Sequence, residues 1–388
     1  MSADEGSEFT FGIEEEFFVS HRRSRNVATK LPAKLIRRAT RVLGENIVEH
    51  ELLQCQLELV SPVLDSIEAA RTHVIESRRA VAEIAAVQGL ALIAAGTHPL
   101  AAWSEQEITE DPRYDDVLKG FQIIGRRNLF CGLHVHVRVP DGIDRVDLMN
   151  RAMRWLPVFL AFSTSSPFWR RHRTGLLSYR QAAYDEWPRS GIPDFYANEA
   201  QYDELASRLV SGGAMKDASF LWWAIRPSVR FPTLELRIAD ACTNAADTVA
   251  LSALYRSLVS FLVRNPNHGR DWSAITRRVI DENRWRAKRY GVRANFIDDR
   301  TGKVTSLVEL YREMRDLLSA DIDTLACASA LERLDRVLAE GTSADRQVEI
   351  YEEQRKAGLS RVEALKVVVD WLAEETLRPI DLMPSEGI

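Results

Sequence analysis

"CGLHVHVRV" at residues 131–139 alternates strictly, with Leu133, Val135 and Val137 on one side of an extended chain and His134 and His136 on the other. A strand turns successive side chains to opposite faces, so the two histidines share a surface that is not the apolar one. Alone, such a pair reads equally as metal ligands, substrate contacts or solvated polar residues. Three other segments narrow the choice.

In "GIEEEF" (12–17), Glu14 and Glu16 share a face, while Ile13, Glu15 and Phe17 take the other. In "QCQLEL" (54–59), Gln54, Gln56 and Glu58 oppose Cys55, Leu57 and Leu59. In "TLELRI" (233–238), Thr233, Glu235 and Arg237 oppose Leu234, Leu236 and Ile238. One such strand is the ordinary outer strand of a sandwich, with its polar side in water. Four that lack the lysines and serines of a routine wet surface predict a sheet lining a polar cleft. Opposed carboxylates repel one another and lose hydration, which divalent cations relieve. Hard oxygen donors with an occasional imidazole suit Mg²⁺ or Mn²⁺ better than a structural zinc, which usually recruits thiolates. No H-E-x-x-H is present, and the cysteines fall on the wrong faces. The pattern therefore favours a carboxylate-rich metal cluster serving phosphate chemistry.

The rest of the 388-residue chain is compositionally ordinary, 46% hydrophobic and 28% charged, with ample material for a core. A net charge of −5 gives no global basic field for nucleic acid or an anionic membrane. Cys55, Cys131, Cys242 and Cys327 form no C-x-x-C pair and read as buried reduced thiols of a cytoplasmic protein. The acidic start "MSADEGSEFTFGIEEEF" is unlike a signal peptide, and no uninterrupted apolar run predicts a membrane span.

Organisation follows from periodicity. Strands are expected near 9–19, toward the end of 50–62, at 90–95, 131–139 and 231–240, and a long helix over 65–89 through Ile67, Ala70, Val74 and Val81. A turn at "PDGIDR" leads into a helix over 144–164. The charged stretch 103–119 reads as a loop, and the Pro-, Trp- and Gly-rich region 167–195 as substrate-binding loops. Residues 21–44 hold eight Lys or Arg and no acid, which fits a solvated loop with a partial helix or a phosphate-meeting lid. Beyond 245 the pattern is helical. The expectation is one α+β catalytic domain over 1–388, with strands and motifs in 1–245 and a helical portion over 246–388.

Neither G-x-x-x-x-G-K-[ST] nor a convincing G-x-G-x-x-G occurs, so the sequence gives poor support for a P-loop or Rossmann nucleotide cradle. Arginines are left to meet phosphates. The candidates are Arg126, Arg127, Arg180, Arg226, Arg230, Arg284, Arg286 and Arg289; Arg226, Arg230 and Arg237 bracket a carboxylate-bearing strand. No G-x-S-x-G and no Cys–His arrangement supports a nucleophile mechanism. Trp222 and Trp223 read as a purine stack or as packing, and His98 as a site residue or a turn histidine.

In order along the chain, "FGIEEEF", "QLELVSP", "GTHP", "CGLHVHV", "TGLLSYR", "RPSVRFPTLELRIAD" and "ENRWRAKRYG" resemble the YbdK-like carboxylate–amine ligases, the type 2 glutamate–cysteine ligase family, from about residue 10 to 300. The resemblance implies a glutamine-synthetase-like curved antiparallel sheet forming an active-site funnel, with helices outside. It implies ATP and Mg²⁺ (or Mn²⁺) as cofactors, small amino acid or amine substrates, and a homodimer. It places metal ligands at Glu14, Glu16, Glu51, Glu58, His134 and Glu235. Arg237 would face phosphate transfer, and Arg180 would contact substrate or phosphate. Arg226 joins them, with Arg230, Arg286, Arg289 and His136 on the nucleotide side. Glu15 should point away. One departure is "WRRHRTGLLSYR", where Arg171 and Arg173 precede the TG motif in place of the family's Gly and acidic residue and change the local charge.

The implied reaction activates a carboxylate with ATP as an acyl phosphate, which an amine attacks to form an amide. Glutamate and cysteine, giving γ-glutamylcysteine, are the default pair. The same polar sheet also suits another amino acid or amine, ATP-dependent phosphorylation of a guanidino or carboxylate acceptor, or nucleotide binding without turnover.

Overall fold

The computed structural model describes residues 8–380; the acidic segment 1–7, read above as unlike a signal peptide, lies outside them. Seven antiparallel strands form the main sheet: β1 (Phe11–His21), β2 (Val48–His50), β3 (Gln56–Val60), β4 (Leu90–Ile93), β5 (Gly132–Arg138), β6 (Ile225–Pro227) and β7 (Thr233–Asp240). Their order is β6-β7-β5-β1-β3-β2, with β4 pairing the far end of β1. Central β1 thus touches β3, β4 and β5, and its second half, Phe17–Val19, is apolar and buried on both faces.

Register sets the polar face. Glu14 lies opposite His134, Glu16 opposite Glu58, and Glu58 in turn opposite Glu49. On the other flank Arg226 pairs with Glu235, and Glu235 with His136. An irregularity between Leu236 and Ala239 shifts the β7–β5 register just beyond Glu235. Such a bulge bends a strand locally and re-aims its side chains, here at Arg237.

The opposite face is the main core. Ile13, Leu133, Val135, Leu234 and Leu236 are buried against helix α1 (Ile67–Ala86) and helix α2 (Ala245–Arg264). The side chain of Ser66 caps α1 by accepting from the Ala69 amide, and Asn244 caps α2 by accepting from the Ala246 amide. By length and composition α2 is apolar enough to cross a membrane, yet 89% of that window is buried inside the protein. It is the central core helix. Glu15 points into this core, where Arg78 of α1 grips it at 2.5 and 3.2 Å and the Thr248 hydroxyl donates at 2.6 Å.

Past Glu16 both faces of β1 are covered, so "FFVS" loses its alternation. Phe17 and Val19 meet Leu35 and Ala39 of the helix Ala33–Leu43. Phe18 meets Ile93 together with Leu365, Val368 and Leu372 of the final helix Arg361–Thr376. The basic stretch 21–44 is therefore a loop and a helix on the outside of the sheet, and none of its residues lines the cleft described below. All four cysteines are buried and unpaired.

Two segments differ from the expectation. Residues 112–121, read as loop, form a helix that starts at Pro112, a residue suited to the first turn. Charges at Asp115, Asp116 and Lys119 mask its apolar side at Val117, Leu118 and Phe121. The helix Glu199–Ser211 also went unread; it buries only Tyr202 and Ala206, too few to print a stripe.

Candidate active site

The polar face opens into a cleft of about 360 Å³. Glu14 and Glu16 from β1, Glu58 from β3, His134 and His136 from β5, and Glu235 and Arg237 from β7 form its floor. Glu51, Arg180, Arg226 and Arg230 stand in its walls. Eleven residues assigned from sequence are thus brought to one place.

Arg286 and Arg289 are not. Arg286 pairs with Glu282 at 3.0 Å along the helix Ala274–Tyr290, and Arg289 lies in a separate surface groove with Arg173 and Arg293. The segment is helical, so residue 284 lies on the face opposite 286 and 289, and the three cannot converge on one ligand. Arg284 is spent on Asp185 at 2.8 Å.

Among the described residues, three groups of side chains are close enough to share a cation: Glu14, Glu58 and His134; Glu14, His136 and Glu235; and Glu16, Glu51 and Glu58. Their electrostatics differ. Burial opposes ionisation of Glu14, but the imidazoles of His134 and His136, each 3.1 Å from its oxygens, outweigh it and hold the carboxyl well below its usual range. Glu235 is likewise driven down, against burial, by Arg237, Arg226 and His136; it binds Arg226 at 2.7 Å and also accepts from Arg237. Glu58 is the reverse. Burial and the charges of Glu14, Glu51, Glu16 and Glu49 push it well above the carboxylate range, and among the described residues it has no cationic partner.

The histidines also differ. Nδ1 of His134 lies 3.1 Å from Glu14, an acceptor, and 3.5 Å from Arg237 Nη1, a donor; the shorter contact favours a hydrogen on Nδ1. Its Nε2 lone pair is left toward Glu16, 3.9 Å away. Burial, then Arg237, depress His134, which stays neutral as a ligand must. For His136, burial is outweighed by Glu14 and Glu235 and the ring is raised; Nε2 lies 3.1 Å from Glu14. This donor set fits a divalent metal, because Glu58 and its acidic neighbours need a cation that the described residues do not supply there.

The walls bring residues that sequence reading passed over. Glu49 joins the acidic side; its two-residue spacing from Glu51 was the available signal. Tyr114 and Val117 come from the unexpected helix, and Tyr114 donates to the His50 carbonyl at 2.9 Å. Trp187, Phe220 and Trp222 form an aromatic wall, with Trp187 and Trp222 ring centres 5.1 Å apart. Trp223, its neighbour, packs instead against Tyr196 and Tyr202. The stretch 103–119, read as a loop, and the region 167–195 both contribute walls, through Tyr114 and Val117 and through Arg180, Tyr184 and Trp187. His98 does not line the cleft; it is a buried turn histidine whose Nδ1 accepts from the Leu100 amide and whose Nε2 meets Ser20 at 2.8 Å.

Comparison with known sequences fits this arrangement. Residues 10–364 match the family described as Glutamate-cysteine ligase family 2. The chain belongs to glutamate–cysteine ligase family 2. Among its relatives, a Rhodospirillum rubrum protein named "Putative glutamate--cysteine ligase 2" is 40% identical over 96% of this chain and 96% of its own length. A protein of the same name from Ectopseudomonas mendocina is 40% identical over 98% and 99%. Membership in the family places the chain among ligases of the carboxylate–amine type.

Solved structures extend the likeness to the fold. The glutamate–cysteine ligase of Francisella tularensis, crystallised with AMP, superposes with a TM-score of 0.70 at 11% identity, covering 95% of this chain and 89% of that one. A bifunctional glutathione synthetase from Pasteurella multocida gives 0.66 at 13% identity, covering 96% and 53%. The glutamine-synthetase-like α+β architecture expected from the sequence is therefore the fold of this family member.

Proposed function

We propose that the protein uses ATP to activate a carboxylate as an acyl phosphate and then joins it to an amine, with glutamate and cysteine as substrates and γ-glutamylcysteine as product. The observation that carries this reading is one cleft in which carboxylates and imidazoles from separate strands converge beside Arg180 and Arg237. The relatives' names support the substrate pair, and the AMP bound to the Francisella ligase supports nucleotide use.

Glu14, Glu16, Glu51, Glu58, His134 and Glu235 would hold Mg²⁺ or Mn²⁺, which supplies charge neutralisation for the transferred phosphoryl group. The protein's own groups do the rest. Arg237, fixed by Glu235, presents a permanent cation to the developing negative charge. Arg226 holds Glu235 from the other side and anchors to the Ser219 and Leu221 carbonyls, each at 2.8 Å, so the carboxylate cannot swing away. Arg230 stands at the mouth, where an incoming anion would meet it. Tyr114 and the Trp187–Trp222 wall narrow the access of water, which would otherwise hydrolyse an acyl phosphate.

The decisive experiment incubates the protein with ATP, Mg²⁺ or Mn²⁺ and mixed amino acids and identifies products by mass spectrometry. An amide formed with stoichiometric ADP and phosphate is the expected result. A stable phosphorylated product would replace the ligase reading with a phosphotransferase, and nucleotide binding without any product would replace it with a regulatory role.

A further inference from the structure

Arg180 is an unusual cation for a cleft wall. It is 3% exposed, its Nη1 donates to the Ala239 carbonyl at 3.0 Å, and its Nε is buried without a partner. The nearest carboxylate, Asp240, stands 4.0 Å from Nη1 and is already engaged. Asp240 accepts from the Ser166 hydroxyl at 2.7 Å, the Ser178 hydroxyl at 2.8 Å and the Ser165 amide at 3.1 Å. The Ser166 hydroxyl in turn accepts from the Arg180 amide at 3.0 Å. A buried guanidinium with spare donors and an occupied counter-charge is set to receive an anion.

What lets the guanidinium lie there is glycine. A Cβ at Gly132 would stand 2.2 Å from Arg180 Nη2 and 2.8 Å from Cζ. Gly132 has no positive φ, so space and not backbone freedom is what excludes a side chain. On its other side, the Gly132 amide donates to Glu16 at 2.5 Å. Gly96 performs the matching service for Asp240, whose carboxylate would lie 2.7 Å from an added Cβ.

We propose that Gly132 is a positioning residue: its bare α-carbon seats the Arg180 guanidinium while its amide fixes Glu16, so one backbone position sets the spacing between the anion-binding arginine and the metal-binding glutamate. The inference rests on reading the cleft as a phosphoryl-transfer site, and it explains why "CGLHVHV" needs its glycine as well as its histidines. The least costly response to a methyl group here is withdrawal of the Arg180 tip, because that tip and not backbone is what the methyl would strike.

The test compares wild type, Gly132→Ala, Arg180→Ala and the double variant by calorimetric binding of ADP with Mg²⁺, binding of inorganic phosphate, Mg²⁺ binding alone, and thermal melting. Gly132→Ala should weaken ADP and phosphate binding about tenfold or more, as loss of one charge-assisted contact does, with Mg²⁺ affinity kept within about threefold. Arg180→Ala should cost as much, and the double variant no more than Arg180→Ala. If Gly132→Ala melts early, the double variant should recover the lost melting temperature, since it removes the clash. Multiplying losses, unchanged ADP binding in Gly132→Ala, or a melting loss that the double variant keeps would each overturn the proposal. Wild type that binds ADP but forms no amide removes the ligase reading alone, and the binding comparison still decides. Wild type that binds neither probe overturns both.

Discussion

At Glu58, burial and four neighbouring carboxylates hold the side chain well above its ordinary pKa. The sign of the consequence is fixed. A raised carboxyl favours the folded metal-free protein while it is protonated, and that contribution is lost as pH rises through the raised value. A metal binds only the ionised form, so the stabilisation given by Mg²⁺ should grow with pH across the same window. Melting curves with and without Mg²⁺ at several pH values should show this, and Glu58→Gln should flatten it. Glu14 and Glu15 make the complementary pair. Glu14→Gln should lower metal-dependent turnover at least tenfold, about 1.4 kcal/mol in the transition state, with melting nearly unchanged. Glu15→Gln should instead cost about 3–5 kcal/mol of stability, because it strands Arg78 in the core, and the protein that remains folded should keep its turnover. His98 gives a third test. Burial pushes it down to about 3, far below the ordinary imidazole range, so it penalises folding only as pH falls below about 6.5. Denaturant titration at pH 7 and pH 5 should show about 2 kcal/mol lost, at about 1.4 per unit, and His98→Gln should remove that dependence.

At the scale of elements, the four half-polar strands were readable because a period of two is a strong signal when one face is apolar. Glu14, Glu16, Glu58, His134, Glu235 and Arg237 followed from that period and now line one cleft. Elements whose role depends on tertiary partners were not readable. Pro112–Phe121 shows mixed charges along its sequence, and only its seat against β2 makes it a wall. Arg286 and Arg289 misled for the opposite reason: a dense run of arginines resembles a phosphate site until a helix scatters it. Glu15 shows how a period can be right and incomplete. Alternation set it opposite Glu14 and Glu16, but nothing local announced Arg78, sixty-three residues away. The wall helix offers its own prediction. Tyr114→Phe removes a bond to the His50 carbonyl worth about 1 kcal/mol, which should raise the open population of this segment about fivefold. Limited proteolysis within 103–127 should quicken accordingly, with global melting unchanged.

Across the whole molecule, the sequence-distant ends close on each other. The final helix buries Leu365, Val368 and Leu372 against Phe18 and Ile93, and the Thr376 hydroxyl accepts from the Ala94 amide at 3.0 Å. Burying three such side chains is worth about 5–9 kcal/mol, comparable to the net stability of many domains. A chain stopped after residue 360 should therefore fail to melt cooperatively and should aggregate, even though it keeps every residue of the cleft. Light scattering and calorimetry on that truncation decide the point.

The triplet Glu14-Glu15-Glu16 has one more implication. Sliding β1 by a single step would still offer Arg78 a carboxylate, so the ion pair cannot by itself choose the correct frame. Ile13 and Phe17, 2% and 0% exposed, make the choice, because a slip one way would thrust Ile13, and a slip the other way Phe17, into the watery hollow. The greasy neighbours, not the acids, are what keep two glutamates aimed at the chemistry and the third beneath it.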